Sequence, residues 1–178
     1  MVDPPLDIDG FRKWAVGNLV DNTTRGWFAE WLVGQALGVI NDGVTRVEWD
    51  SVDLRYGDLK IEVKTSGLSQ SWNRLNRSTP NFRIAPRKTA WDAATDTWES
   101  FDPPRRVADV YVFCLHHAVP ATDENVADPA CWTFWVIPTE RLDDRLGAQK
   151  TVRVSTLENL TTPLRWCELR DAVDRCDR

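Results

Sequence analysis

The sequence predicts one α/β domain, a mixed β-sheet with helices against it, and three observations predict it. Two short, nearly uninterrupted apolar runs, "VADVYVFCL" and "CWTFWVI", have the length and composition of strands buried on both faces. Residues 52–64 alternate apolar and polar positions around Gly57-Asp58, the pattern of a half-buried hairpin. Ahead of them, residues 8–38 carry helical spacing, as expected of helices packing on the sheet. A chain of 178 residues, 42% apolar and with ten Trp, suffices for one domain.

Asp9 can cap a first helix through "FRKWAVGNLV", in which Phe11, Trp14, Ala15 and Leu19 share a face. Thr23 or Thr24 can cap a second, "RGWFAEWLVGQAL", which Gly38 ends. Its expected apolar face is Trp27, Phe28, Trp31, Leu32 and Ala36, with Glu30 beside it. "VTRVEW" reads as a strand. In the hairpin, a two-residue turn at Gly57-Asp58 pairs Tyr56 with Leu59 and Leu54 with Ile61. Asp53 then falls opposite Glu62, and Lys64 shares Glu62's face, while Val52, Leu54, Ile61 and Val63 form the apolar side. "LSQSWNRLNR" fits a short helix through Leu68, Trp72 and Leu75; residues 78–106 read as a loop, with a short strand at "FRI". After the two apolar strands, Thr139 can cap "ERLDDRLG", and a final helix is expected to begin near Pro163.

The net charge of −5 is unfavourable for a polyanion partner, but its distribution is uneven. From Val63 to Trp91 there is no acid, while Lys64, Arg74, Arg77, Arg83, Arg87 and Lys88 are basic. Trp72, Phe82 and Trp91 interleave with them, a combination suited to gripping phosphates and stacking bases. Cys114, Cys131, Cys167 and Cys176 form no CxxC pair, and the acidic N-terminus lacks the pattern of a signal peptide, so a cytoplasmic protein with reduced thiols is expected. His116 and His117 have no partner at metal-ligand spacing, and GxSxG, HExxH and Walker patterns are absent.

The pair that demands explanation is Asp53 and Glu62. Two like charges about 4 Å apart in a cleft of effective dielectric near 20 repel by roughly 4 kcal/mol. A divalent cation removes that conflict, and hard Mg²⁺ favours carboxylate and water oxygen. Asp53 followed by Glu62-Val63-Lys64 resembles the signature of the PD-(D/E)XK nucleases, the restriction-endonuclease-like fold, with Glu30 where an upstream helix often adds a glutamate. Val52 stands in place of the motif's proline. Gln70 follows the lysine, but position 74 is Arg rather than the Tyr of lambda-exonuclease-like relatives. Asp50 and Asp58 compete for the first acid; Asp58 sits at the turn tip and Asp50 beyond the paired positions.

The resemblance implies a restriction-endonuclease-like core and metal-dependent hydrolysis of DNA. Asp53, Glu62 and the carbonyl of Val63 would hold Mg²⁺ or Mn²⁺, and Lys64 would assist the attacking water. Glu30 would serve a water shell or a second ion, and Gln70 would position the phosphate or Lys64. Trp72, Arg74, Arg77, Arg83, Arg87 and Lys88 would carry the DNA. A homodimer, or a partner protein that delivers substrate, would extend so short a chain. Two other readings remain open: a non-catalytic nucleic-acid-binding or assembly module keeping the fold, and a structure-specific junction resolvase.

Overall fold

A computed structural model describes residues 5–48, 50–73 and 75–177; Arg74, assigned above to the DNA surface, lies outside the described residues. The main sheet has four strands in the order β1-β2-β6-β7: β1 (Leu54–Tyr56), β2 (Leu59–Gly67), β6 (Val110–His116) and β7 (Trp132–Pro138). β1 and β7 run antiparallel to their neighbours, and β2 runs parallel to β6, so the sheet is mixed as expected. All seven residues of β6 are buried, which accounts for its unbroken apolar run. Alternate residues feed two cores. Val110, Val112 and Cys114 face the layer made by α2 (Asn22–Leu37) and α6 (Leu169–Asp174). Tyr111, Phe113 and Leu115 face the layer containing α4 (Thr139–Leu146) and α5 (Val154–Leu160).

The hairpin has the expected register, Leu54 with Ile61 and Tyr56 with Leu59, and Gly57 takes the positive φ of +57° that its turn requires. Leu54, Ile61 and Val63 join the first core as predicted, but Val52, beyond the pairing, turns into the second. β1 is three residues long and β2 is nine, so β2 runs on past the end of β1.

Two further pairs of strands flank this sheet. β3 (Asn81–Arg83), the "FRI" strand, pairs with β8 (Thr151–Arg153). β4 (Arg87–Asp92) and β5 (Thr97–Arg105) form a hairpin within the segment read as loop. It is tied beside β1 and β2 by Asp92, which accepts from Arg55 Nη2 at 3.1 Å and Lys60 Nζ at 3.3 Å. Behind it, Arg106 is buried: it donates to the carbonyls of Ile84, Gly147 and Gln149 and pairs with Asp143.

Several local expectations are corrected. The first helix, α1 (Ile8–Val16), is capped by Asp7 rather than Asp9, because the Asp7 carboxylate accepts from Gly10 N. α1 buries no residue; Phe11 and Trp14 are exposed, so the packing of the N-terminal region on the sheet is done by α2. Asp21 caps α2, ahead of the threonines, and Gly38 ends it at φ +74° as expected. The face α2 buries is centred on Ala29, Leu32, Val33 and Leu37, which leaves Trp31 half exposed. "VTRVEW" forms no strand over its described residues, and the described residues of "LSQSWNRLNR" form turns and bends with a bridge between Gln70 and Asn73 in place of the expected helix. Thr139 is the first residue of α4 and donates its hydroxyl to Ala108 O, and the closing helix starts at Leu169, after a 3₁₀ turn at Trp166–Glu168. Among the described residues no helix is long and apolar enough to cross a membrane.

Candidate active site

The end of β1 makes the site. Asp53 N–H donates to Ile61 O at 3.0 Å, the last backbone bond of the ladder. One step further, β2 would leave the Val63 N–H unpaired; the Asp53 carboxylate takes it instead, Oδ2 to N at 2.7 Å. The side chain thus lies along the sheet edge rather than standing off it. In an extended strand the N–H and C=O of one residue point to the same side, so the Val63 carbonyl shares the edge that Asp53 faces.

Glu62 and Lys64 project from the sheet face that also carries their register neighbours Tyr111 and Phe113. The Glu62 side chain is 3% exposed. Its Oε1 accepts from Lys64 Nζ and from Arg87 Nη2, the latter at 2.5 Å. Arg87 Nη1 donates to Ser51 O at 3.1 Å, which ties the start of β4 to the segment leading into Asp53. A register shift in the β4–β5 pair lies between Arg87 and Thr89, next to the residue that must aim at Glu62. Sequence reasoning grouped Arg87 with the surface cations; its place beside Glu62 rests on a pairing between segments 25 residues apart.

These placements set the electrostatics. Burial, then the charge of Glu62, pushes the Asp53 carboxyl up to about 7, with Glu30 adding to the rise; Lys64 and the Val63 N–H oppose it. Burial, and again Glu62, pushes the Tyr111 phenol up, so it stays neutral. Among the described residues the bonds above use Asp53 Oδ2 and Glu62 Oε1, which leaves Asp53 Oδ1 and Glu62 Oε2 as the candidate donors to a cation.

The other predicted residues are placed as follows. Glu30, on α2, approaches Asp53 from the opposite side of the sheet and is gripped by Arg46, Nε to Oε2 at 2.6 Å and Nη2 to Oε1 at 3.2 Å. Gln70 turns away from the carboxylates: its Nε2 donates to Gly67 O and Ser78 Oγ, and its Oε1 accepts from the buried Arg25. It braces the chain leaving β2. Trp72, Arg77, Arg83 and Lys88 are exposed. Phe82 is not available to a base, since it is buried edge-on against Phe113. Asp50 is committed to Arg55, to Ser51 N and to Ala93 N, which leaves Asp53 as the first acid. Among the described residues no three His, Cys, Asp or Glu side chains form a ready cation cage.

No family model, no curated protein and no solved structure matches this chain.

Proposed function

We propose that the chain is a metal-dependent nuclease of the PD-(D/E)XK type, hydrolysing phosphodiester bonds of DNA. The observation that carries the reading is the Asp53 carboxylate, seated on the Val63 N–H beside buried Glu62 and pushed up to about 7. Such a group is stabilised in its charged form by a cation that the chain itself does not fully supply. The donor set fits Mg²⁺ or Mn²⁺: two carboxylate oxygens and the Val63 carbonyl are hard ligands, with water to complete the shell. A bound ion would polarise the phosphate and lower the pKa of an attacking water.

The chain's own groups do the rest. Asp53, Glu62 and the Val63 carbonyl would hold the ion. Lys64, whose side chain is one quarter exposed, orients the attacking water and offsets charge on the phosphate. Arg87, on the same glutamate oxygen and more open to solvent, presents a second cation to the non-bridging oxygens. Arg77, Arg83 and Lys88 hold the strand on either side.

The test is incubation with plasmid, linear and four-way-junction DNA, with Mg²⁺ or Mn²⁺ and with chelator. Nicking should require the metal, and Asp53→Ala, Glu62→Ala and Lys64→Ala should each remove most of it. Full activity in the two carboxylate variants would overturn the site. Preference for the junction would identify a resolvase. One observation favours a non-catalytic module: Glu62 already carries Lys64 and Arg87, and Glu30 carries Arg46. That reading expects DNA binding with no cleavage and no thermal shift on adding Mn²⁺.

A further inference from the structure

On the α2 side of Asp53 lies an open cavity of about 430 Å³. Its walls are apolar: Trp27, Trp31, Val39, Ile40, Val44 and Val47. The Arg46 guanidinium covers the Trp27 ring at 5.6 Å, while Trp31 is 46% exposed and presents an indole to the opening. Two of the three acids in the lining are already committed to partners. Glu30 spends both oxygens on Arg46, and Asp50 is saturated by Arg55 and two backbone N–H groups. With those two acids engaged and most of the wall apolar, area and stacking on the indoles are the main means of recognition here.

Charge selects the kind of occupant. Glu30 is paired with Arg46 and Asp50 with Arg55, so apart from Asp53 the lining offers no unpaired charge and tolerates a neutral ring. The volume lies at the lower end of the range for small-molecule pockets, about 300–1,000 Å³, too small for a duplex. The cavity also shares Asp53 and Glu30 with the carboxylate cluster. Asp53 is common to both, so a strand whose phosphate sits at Asp53 has an adjacent base within reach of the cavity mouth.

We infer that this cavity receives one unstacked nucleobase next to the scissile phosphate, without regard to base identity. The inference rests on the nuclease reading and adds its substrate class, DNA that is single-stranded or opened at the cut. Stacking on an indole is sequence-tolerant because every base has a π-face.

The experiment measures affinity for a short single-stranded oligonucleotide, using Lys64→Ala protein with Ca²⁺ so that no strand is cut. Added Trp31→Ala should weaken binding about 5- to 150-fold, the range for loss of one stacked base. The slope of log affinity against log salt should not change, because no phosphate contact is removed. An abasic residue walked along the oligonucleotide should mimic this loss at one position, and only when Trp31 is present. Val44→Trp, from an exposed position at the mouth, should fill the cavity with the same result. Wild-type affinity in both variants, with no position sensitive to an abasic residue, would overturn the inference. Metal-dependent plasmid cleavage persisting beside that result would remove the base site and leave the nuclease reading standing. A wild-type chain that binds no DNA would remove both.

Discussion

Asp53→Asn separates the electrostatic cost of the site from its use. Asn keeps an oxygen for the Val63 N–H and removes the charge. The Asp53 carboxyl is raised from its ordinary 3.8 to about 7, so the native protein holds a proton that the unfolded chain gives up across that interval. The Asp53 contribution to the stability of the metal-free wild type must therefore fall as pH rises from about 4 to about 7, and level off above it. At about 1.36 kcal/mol per pH unit the full interval corresponds to at most ~4 kcal/mol, which Asp53→Asn recovers. His116 works in the opposite direction: buried and lowered to about 4, it loses stability as pH falls through the same window. It does so in both proteins, so the difference curve isolates Asp53. Urea unfolding with chelator present, from pH 4 to 8, should show the variant gaining on wild type as pH rises. Metal at a hundred times its Kd should then stabilise wild type by about 2.7 kcal/mol. For a chain of this size that raises Tm by about 5–11 °C, and by far less in the variant. A flat difference curve, or equal metal shifts in both proteins, would refute the reasoning.

Three further outcomes follow from the same geometry. If about five phosphates are contacted, log affinity should fall against log salt with a slope near −4.5, and Arg83→Ala with Lys88→Ala should reduce that slope by about 1.8; an unchanged slope would make these residues an ordinary solvated face. Arg87→Ala should lower kcat by about 10²–10³, as loss of a charge-stabilising donor does, while DNA affinity in Ca²⁺ stays within a few-fold; the reverse pattern would return Arg87 to the binding surface. Arg106→Met should cost about 3–5 kcal/mol in urea unfolding, because Asp143 and three carbonyls lose their donor together; a loss below about 1 kcal/mol would show that water replaces it.

What could be read from the sequence was set by local periodicity. The hairpin register followed from the alternation on either side of Gly57, and β6 and β7 from runs too apolar to sit anywhere but inside. The buried face of α2 is not legible in the sequence because apolar residues occupy both sides of that helix: Trp27 and Trp31 line a cavity while Ala29 and Val33 fill the core. The β4–β5 hairpin is not legible in the sequence because its strands bury little, so polar residues and two prolines mask the pairing. Arg87 was legible as a cation and not as Glu62's partner, since only the folded chain brings β4 against β2.

The site depends on a mismatch of lengths. Had β1 continued one ladder step further, a backbone carbonyl would receive the Val63 N–H, and Asp53 would stand on the sheet face as an ordinary strand residue. Because β1 pairs only through Leu54, the carboxylate of Asp53 takes the place of that carbonyl. It thereby enters the sheet edge, between Glu62 on one face and Glu30 on the other. Burial and two acidic neighbours then act on one group, while Lys64 and Arg87 remain on Glu62, within reach but not neutralising Asp53. Substitutions that lengthen β1 should therefore lower the Asp53 pKa only by moving it into solvent, and should weaken metal binding with it. Carboxyl titration by NMR alongside Mn²⁺ affinity would reveal whether the two move together. A lowered pKa with undiminished metal binding would show that the short strand is incidental to the site.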